Sequence, residues 1–132
     1  MISVDTSVLV RYLIGTPAAS ARRAAALMDD DATEVGVSTV ALAECAHVLR
    51  TQYGVTGSDI IEALIDLVQR ENVRLLGIRT EPVVEALVRA RSMPGRPIPD
   101  ALIVAASVAT DALPLVTFDR QQSRHGIETR EP

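Results

Sequence analysis

Short apolar runs alternate with longer stretches of helical period along the whole chain, and that alternation limits the fold more than any other feature. Ile2 to Val4, Val35 to Val37, Val73 to Leu76 and Leu115 to Phe118 read as strands. Between them, Ser7 to Ile14, a segment from Pro17 to Met28, and a stretch from a Ser38 or Thr39 cap to about Tyr53 read as helices. Gly54 and Gly57 mark a turn, after which Ser58 or Asp59 caps a helix from Ile60 to about Arg70. Its residues Ile60, Ile61, Leu64, Ile65, Leu67 and Val68 form a wide apolar stripe. Pro82 to Arg91 and Asp100 to about Thr110 complete the helices. The acid run Asp29-Asp30-Asp31 opposes a helix C-terminus and marks an exit loop, and the proline-rich Met93 to Pro99 is a second loop. A last short strand has room around Ile127. Without repeats, low-complexity segments or a linker, the pattern predicts one α/β domain over residues 1–132, three-layer α/β/α with a mainly parallel central sheet.

A chain of 132 residues can bury one real core, and 48% hydrophobic with 23% charged residues is a globular balance. The longest apolar stretch is far short of the roughly 20 residues that span a bilayer. No basic residue precedes the first apolar segment and Asp5 interrupts it, so no secretory signal is expected. The lone Cys45 excludes an internal disulfide framework and fits a reducing cytoplasm, where it reads as a small buried residue.

All thirteen basic residues are Arg, and the net charge is −4. The molecule as a whole does not attract a polyanion, so nucleic-acid binding would need clustered Arg plus metal cations. The absence of Lys removes P-loop and Schiff-base chemistry. With only Tyr12, Tyr53 and Phe118 as aromatics, a base-stacking platform of the kind single-strand binders use is not expected.

Four acids stand out. Asp5 and Asp119 directly follow apolar strands, and Asp100 opens an apolar helix. Carboxylates at the C-terminal ends of parallel strands and at a helix start can meet in one crevice, where open α/β sheets place ligands. Glu44 has Val40, Ala41 and Val48 as its helical neighbours, so it projects from a largely apolar face. A charge buried there would need a partner or a metal. Two carboxylates about 4 Å apart repel by roughly 4 kcal/mol at an effective dielectric near 20. Four in one pocket would therefore imply a cation, and Mg²⁺ or Mn²⁺ takes such hard oxygen ligands. Blander readings stand beside this one: Asp100 as an N-cap, Asp5 and Asp119 as loop acids, Glu44 in a salt bridge.

The segments Asp5-Thr6-Ser7-Val8-Leu9, Ala43-Glu44, Asp100 to Ala106 and Leu115 to Asp119 together resemble the motifs of PIN domains, most closely the VapC-type ribonuclease toxins. The resemblance implies a PIN fold, a metal-dependent endoribonuclease using Mg²⁺ with Mn²⁺ as substitute, a homodimer, an RNA substrate and a VapB-like antitoxin. It implies that Asp5, Glu44, Asp100 and Asp119 are catalytic, with Asp5, Asp100 and Asp119 as metal ligands. Thr6, Ser7 and Thr117 would support them. Where the family often has an aromatic, three residues after the last acid, this chain has Gln122. Arg96, Arg120 and Arg124 lie near the acids in sequence and are the expected phosphate contacts. Arg22-Arg23, and Arg89 with Arg91, read equally as solvated faces or antitoxin contacts. His47 reads as a helix histidine and His125 as loop.

Rival classes fit less well. Haloacid-dehalogenase-like phosphatases carry a second Asp where this chain has Ser7, and they and receiver domains need a Lys. Neither a G-x-G-x-x-G nor a P-loop motif is present. The remaining alternative is a catalytically inactive PIN-like interaction module.

Overall fold

The computed structural model describes all residues from Met1 to Pro132, and its backbone contacts divide the chain into two units, Met1–Gly77 and Ile78–Pro132. In the first unit, β1 (Ile2–Val4), β2 (Val35–Val37) and β3 (Val73–Leu75) form a parallel sheet in that order. Ile2 pairs with Val35, and Val35 with Val73. Parallel neighbours need long crossovers. Here α1 (Thr6–Ile14) and α2 (Ala18–Met28) connect β1 to β2, and α3 (Thr39–Thr51) and α4 (Gly57–Val68) connect β2 to β3. The central strand is paired on both edges and buried along its whole length. The α4 stripe is buried as expected; with Leu9, Met28, Leu42 and Leu49 it makes the core of this unit. Truncating one such leucine to alanine costs about 2–5 kcal/mol.

Helix starts follow capping chemistry more closely than apolar spacing. Helix α1 begins one residue early because Asp5 is its N-cap and accepts from the Ser7 backbone N–H. Ser38 caps α3, accepting from the Ala41 N–H at 3.0 Å. Helix α4 starts at Gly57 rather than Ile60, and its cap is Thr56, not Ser58 or Asp59. Asn72, buried just before β3, donates its amide to the carbonyls of Met28, Asp30 and Thr33 at 3.0–3.3 Å. It thereby ties the acid-rich exit loop of α2 to the sheet.

In the second unit, α5 (Thr80–Ala90) packs on α6 (Pro97–Ala109). Buried Ala86 and Ala90 on one helix, and Ala101 and Ala105 on the other, allow close approach. The expected loop over Met93 to Pro99 is shorter than its prolines suggested. Pro97 enters the first helical turn, where a missing N–H costs nothing. Asp100 is consequently inside the first turn and does not cap; the residue before the helix is Arg96.

The fourth strand is also shorter than its apolar run. Only Leu115–Val116 (β4) pairs, in parallel with Thr129–Arg130 (β5), forming a separate two-stranded sheet. The last strand thus forms two residues beyond Ile127. Phe118 lies outside β4 and is 84% exposed. Between β4 and β5, Arg120–His125 form a 3₁₀ helix capped by Gly126 at φ +76°. The Arg89 guanidinium donates to the His125 carbonyl at 2.9 Å, and a Cβ on Gly126 would lie 2.8 Å from Arg89 Cζ. Glycine is required there by both dihedral and space. No helix is long and apolar enough to cross a membrane.

Candidate active site

The turn from β1 into α1 places Asp5 and Glu44 on one cleft of about 590 Å³, also lined by Thr6, Ser7, Arg11 and Ser38. Asp5 is exposed, and a single oxygen, Oδ1, takes both donors of Ser7: the backbone N–H at 2.9 Å and the hydroxyl at 2.6 Å. These bonds, foremost the hydroxyl, hold the carboxyl below the usual aspartate range, and Arg11 adds a smaller pull in the same direction. Oδ2 stays open. The Thr6 hydroxyl donates to Glu44 Oε2 at 3.1 Å.

Glu44 corrects one expectation. Its apolar neighbour Val40 is itself exposed, and Glu44 opens to the cleft rather than into a core. It is not a buried charge seeking compensation, and no salt bridge holds it.

In the second unit, Asp100 and Asp119 share a pocket of about 210 Å³ with Arg96, Gln122, Arg124 and His125. Asp119 caps the 3₁₀ helix, Oδ1 accepting from the Gln121 N–H at 2.9 Å, while its own N–H donates to the Thr117 hydroxyl at 3.0 Å. Thr117 thus fixes the backbone of Asp119 rather than its carboxylate. Of the three arginines expected at phosphates, Arg96 and Arg124 line this pocket. Arg120 does not; it is 88% exposed in its side chain and pairs with Glu131 at 3.3 Å. Arg89 is absorbed by the His125 carbonyl, and Arg22 and Arg23 are exposed on α2.

Two residues of this pocket carried no clear sequence signal. Gln122 and His125 are only 7% and 5% exposed, and Gln122 Oε1 and His125 Nδ1 are enclosed without a hydrogen-bond partner. Burial lowers the His125 pKa below its usual value; Arg124 and Arg89 add to this, against the opposing pull of Asp100 and Asp119. Their spacing of three along a 3₁₀ helix, which eclipses such side chains, was the one available hint. The other histidine is outside both pockets: His47 is exposed on α3, its Nδ1 3.3 Å from an Arg50 nitrogen. Cys45 is buried and its thiol is pushed up to about 12 by burial, which makes it inert as a nucleophile.

Each unit brings two of the four acids to one pocket, and nowhere do three or more His, Cys, Asp or Glu side chains cluster. Mg²⁺ is commonly held by one or two carboxylates, with waters and substrate phosphates completing its shell. The Asp100 and Asp119 carboxylates of the second unit, Asp100 free of any protein hydrogen bond, are oxygen ligands of that kind and number.

The PIN domain family matches residues 2–128, nearly the whole chain. No curated protein matches it. PIN domains are generally nucleases, hydrolases acting on nucleic acid and typically using divalent metal ions. An α/β architecture with a parallel three-stranded sheet, an acid at the end of β1 and a match spanning both units lead to one assignment: the chain belongs to the PIN-domain family.

Proposed function

We propose that this protein is a Mg²⁺- or Mn²⁺-dependent endoribonuclease and the toxin of a type II toxin–antitoxin pair. The observation that carries the nuclease reading is the Asp5–Glu44 cleft, where two exposed carboxylates are steadied by Ser7 and Thr6. On this reading residues 1–132 act as one PIN-like domain, and Asp5, Glu44, Asp100 and Asp119 are all catalytic.

Asp5, Asp100 and Asp119 would hold the cation. When bound, it supplies positive charge to the phosphoryl oxygens and lowers the pKa of a water. Ser7 fixes the rotamer of Asp5, so that Oδ2 is presented in one direction. Glu44, held at Oε2 by Thr6, presents Oε1 as an acceptor that orients the attacking water. Thr117 fixes the start of the 3₁₀ helix and hence the position of Asp119. Arg96 and Arg124 hold phosphates beside Asp100 and Asp119, with Arg120 further along the strand. Water adds to phosphorus in line and gives up a proton to solvent, and the 3′ oxygen leaves, taking a proton from solvent. One fragment ends in a 5′-phosphate and the other in a 3′-hydroxyl, with the 2′-hydroxyl uninvolved.

An RNA-cutting enzyme in a cytoplasm needs a silencer. A VapB-like antitoxin placing an Arg against these carboxylates would satisfy the charge that the cation otherwise neutralises. The working form is a homodimer. The inactive interaction module is disfavoured because all four acids are present.

The purified protein is expected to cut RNA with Mg²⁺ or Mn²⁺, to stop in excess EDTA, and to leave 5′-phosphate ends. A single 2′-deoxy sugar on the 5′ side of the cut should still permit cleavage. Cyclic phosphate ends, or undiminished cutting in EDTA, would exclude this chemistry.

A further inference from the structure

The Asp5–Glu44 cleft is larger and less polar than two carboxylates require. Arg11 is its only basic lining residue, and one wall is apolar: Val10, Val40, Val48 and Tyr53. Isolated exposed apolar side chains are ordinary. Here Val40 at 66% and Tyr53 at 44% exposure line the same cleft. Arg11 is tethered by Nη1 to the Ser7 carbonyl at 3.1 Å, which fixes the guanidinium and leaves its other N–H groups without a protein partner. The cleft therefore offers an anchored cation beside the carboxylates and an aromatic face further off. Helix α3 runs from Glu44 to Thr51 just before Tyr53, about 10 Å at 1.5 Å per residue.

We propose that this cleft seats the RNA nucleotide next to the cut, with Arg11 on a backbone phosphate and Tyr53 stacked on a base. The proposal rests on the ribonuclease reading and deepens it. A ligand that combines an anion with a flat ring would engage both Arg11 and Tyr53, which line the same cleft. A phosphate beside two carboxylates is repelled unless a cation offsets them, and within this cleft only Arg11 can do so from the protein. Stacking on one tyrosine tolerates every base, so the seat gives grip without fixing sequence. One of the chain's three aromatics lines this cleft.

The test compares the full chain with Arg11→Gln, Tyr53→Ala and Tyr53→Phe on a labelled single-stranded RNA. Both KM for cleavage and Kd by fluorescence anisotropy in EDTA are read. Arg11→Gln should raise KM and Kd about tenfold and reduce the slope of log Kd against log salt by about one. Tyr53→Ala should raise both by about fivefold or more, with the Tyr53→Phe variant close to wild type. Arg11 also pulls on the Asp5 carboxyl, so Tyr53 gives the arm free of that effect. Unchanged KM and Kd in Arg11→Gln and Tyr53→Ala would overturn the seat, as would a Tyr53→Phe defect equal to that of Tyr53→Ala. Loss of binding to a protein partner with RNA affinity intact would also overturn it and assign the cleft to that partner. Failure of the wild type to cut RNA would instead overturn the ribonuclease reading, and the anisotropy arm would still decide whether the cleft binds RNA.

Discussion

Asp5 and Asp119 stand in similar local settings. Each follows an apolar run, caps the helix after it, and accepts a backbone N–H on Oδ1. Their surroundings differ. Around Asp5 the polar groups are matched: Ser7 gives two hydrogen bonds, Thr6 reaches Glu44, and Arg11 is tied to Ser7. Around Asp119, Gln122 Oε1 and His125 Nδ1 are enclosed without partners, each at a cost of about 1–3 kcal/mol. The first pair is held rigid by its own network. In the second, Asp119 is held by the Gln121 N–H and the Thr117 hydroxyl while Asp100 has no hydrogen bond, inside a pocket that carries unsatisfied groups. Satisfied networks fix geometry, whereas unsatisfied ones mark places where stability gives way to another demand.

The sharpest way to break this comparison is Glu44→Gln. Because Glu44 is exposed and takes only the Thr6 hydroxyl, the substitution should cost about 10²-fold or more in RNA cleavage with the thermal midpoint unmoved. A large loss of stability with cleavage kept would make Glu44 structural. Asn72→Ala examines the matched network of the first unit away from its acids. Met28 O keeps Arg70 and Asp30 O keeps the Thr33 N–H, but the Thr33 carbonyl loses its donor and the loop its tie to the sheet, so unfolding free energy should fall by about 1–3 kcal/mol, with catalytic constants unchanged when assayed below the melting range. A neutral result in denaturant titration would mean that water replaces the amide freely.

The smallest effect concerns the unmatched pocket. His125 has a native pKa below its ordinary value, chiefly through burial. As pH falls through about 6.5, the unfolded chain takes up a proton that the folded one still refuses, and stability drops until the native pKa is passed. Melts in EDTA should show this acid-side loss in wild type and a weakened one in His125→Phe. Identical pH profiles would show that His125 is not the group responsible.

Much of the molecule was legible in the sequence, for identifiable reasons. The strands of the first unit were marked by β-branched runs, and α4 by its stripe, because burial on one face imposes periodicity. Asp5 and Asp119 were visible because they end such runs. What was missed depended on chemistry that periodicity does not carry. Thr56 caps α4 through one hydroxyl, Pro97 enters a helix that its neighbours seemed to forbid, and β4 stops at Val116 although apolar residues continue to Phe118. The exposure of Glu44 depends on Val40 being exposed too, which residue type alone misreports. Burial of Gln122 and His125 is a tertiary outcome: polar residues in a Gly-terminated turn ordinarily face water.

On the proposed nuclease function, Asp5 in the first unit and Asp100 in the second are each required for metal-dependent cleavage of RNA. The most direct test is single-turnover cleavage against Mg²⁺ concentration for wild type, Asp5→Asn and Asp100→Asn, each with its thermal melt. Asparagine caps a helix about as well as aspartate, so Asp5→Asn should fold as wild type. Asp100 accepts no protein hydrogen bond and should likewise leave the fold intact. The account predicts that both variants melt at or above the wild-type temperature and lose cleavage at every Mg²⁺ concentration reached by the wild type. Cleavage by either variant at the wild-type rate and Mg²⁺ dependence would contradict it.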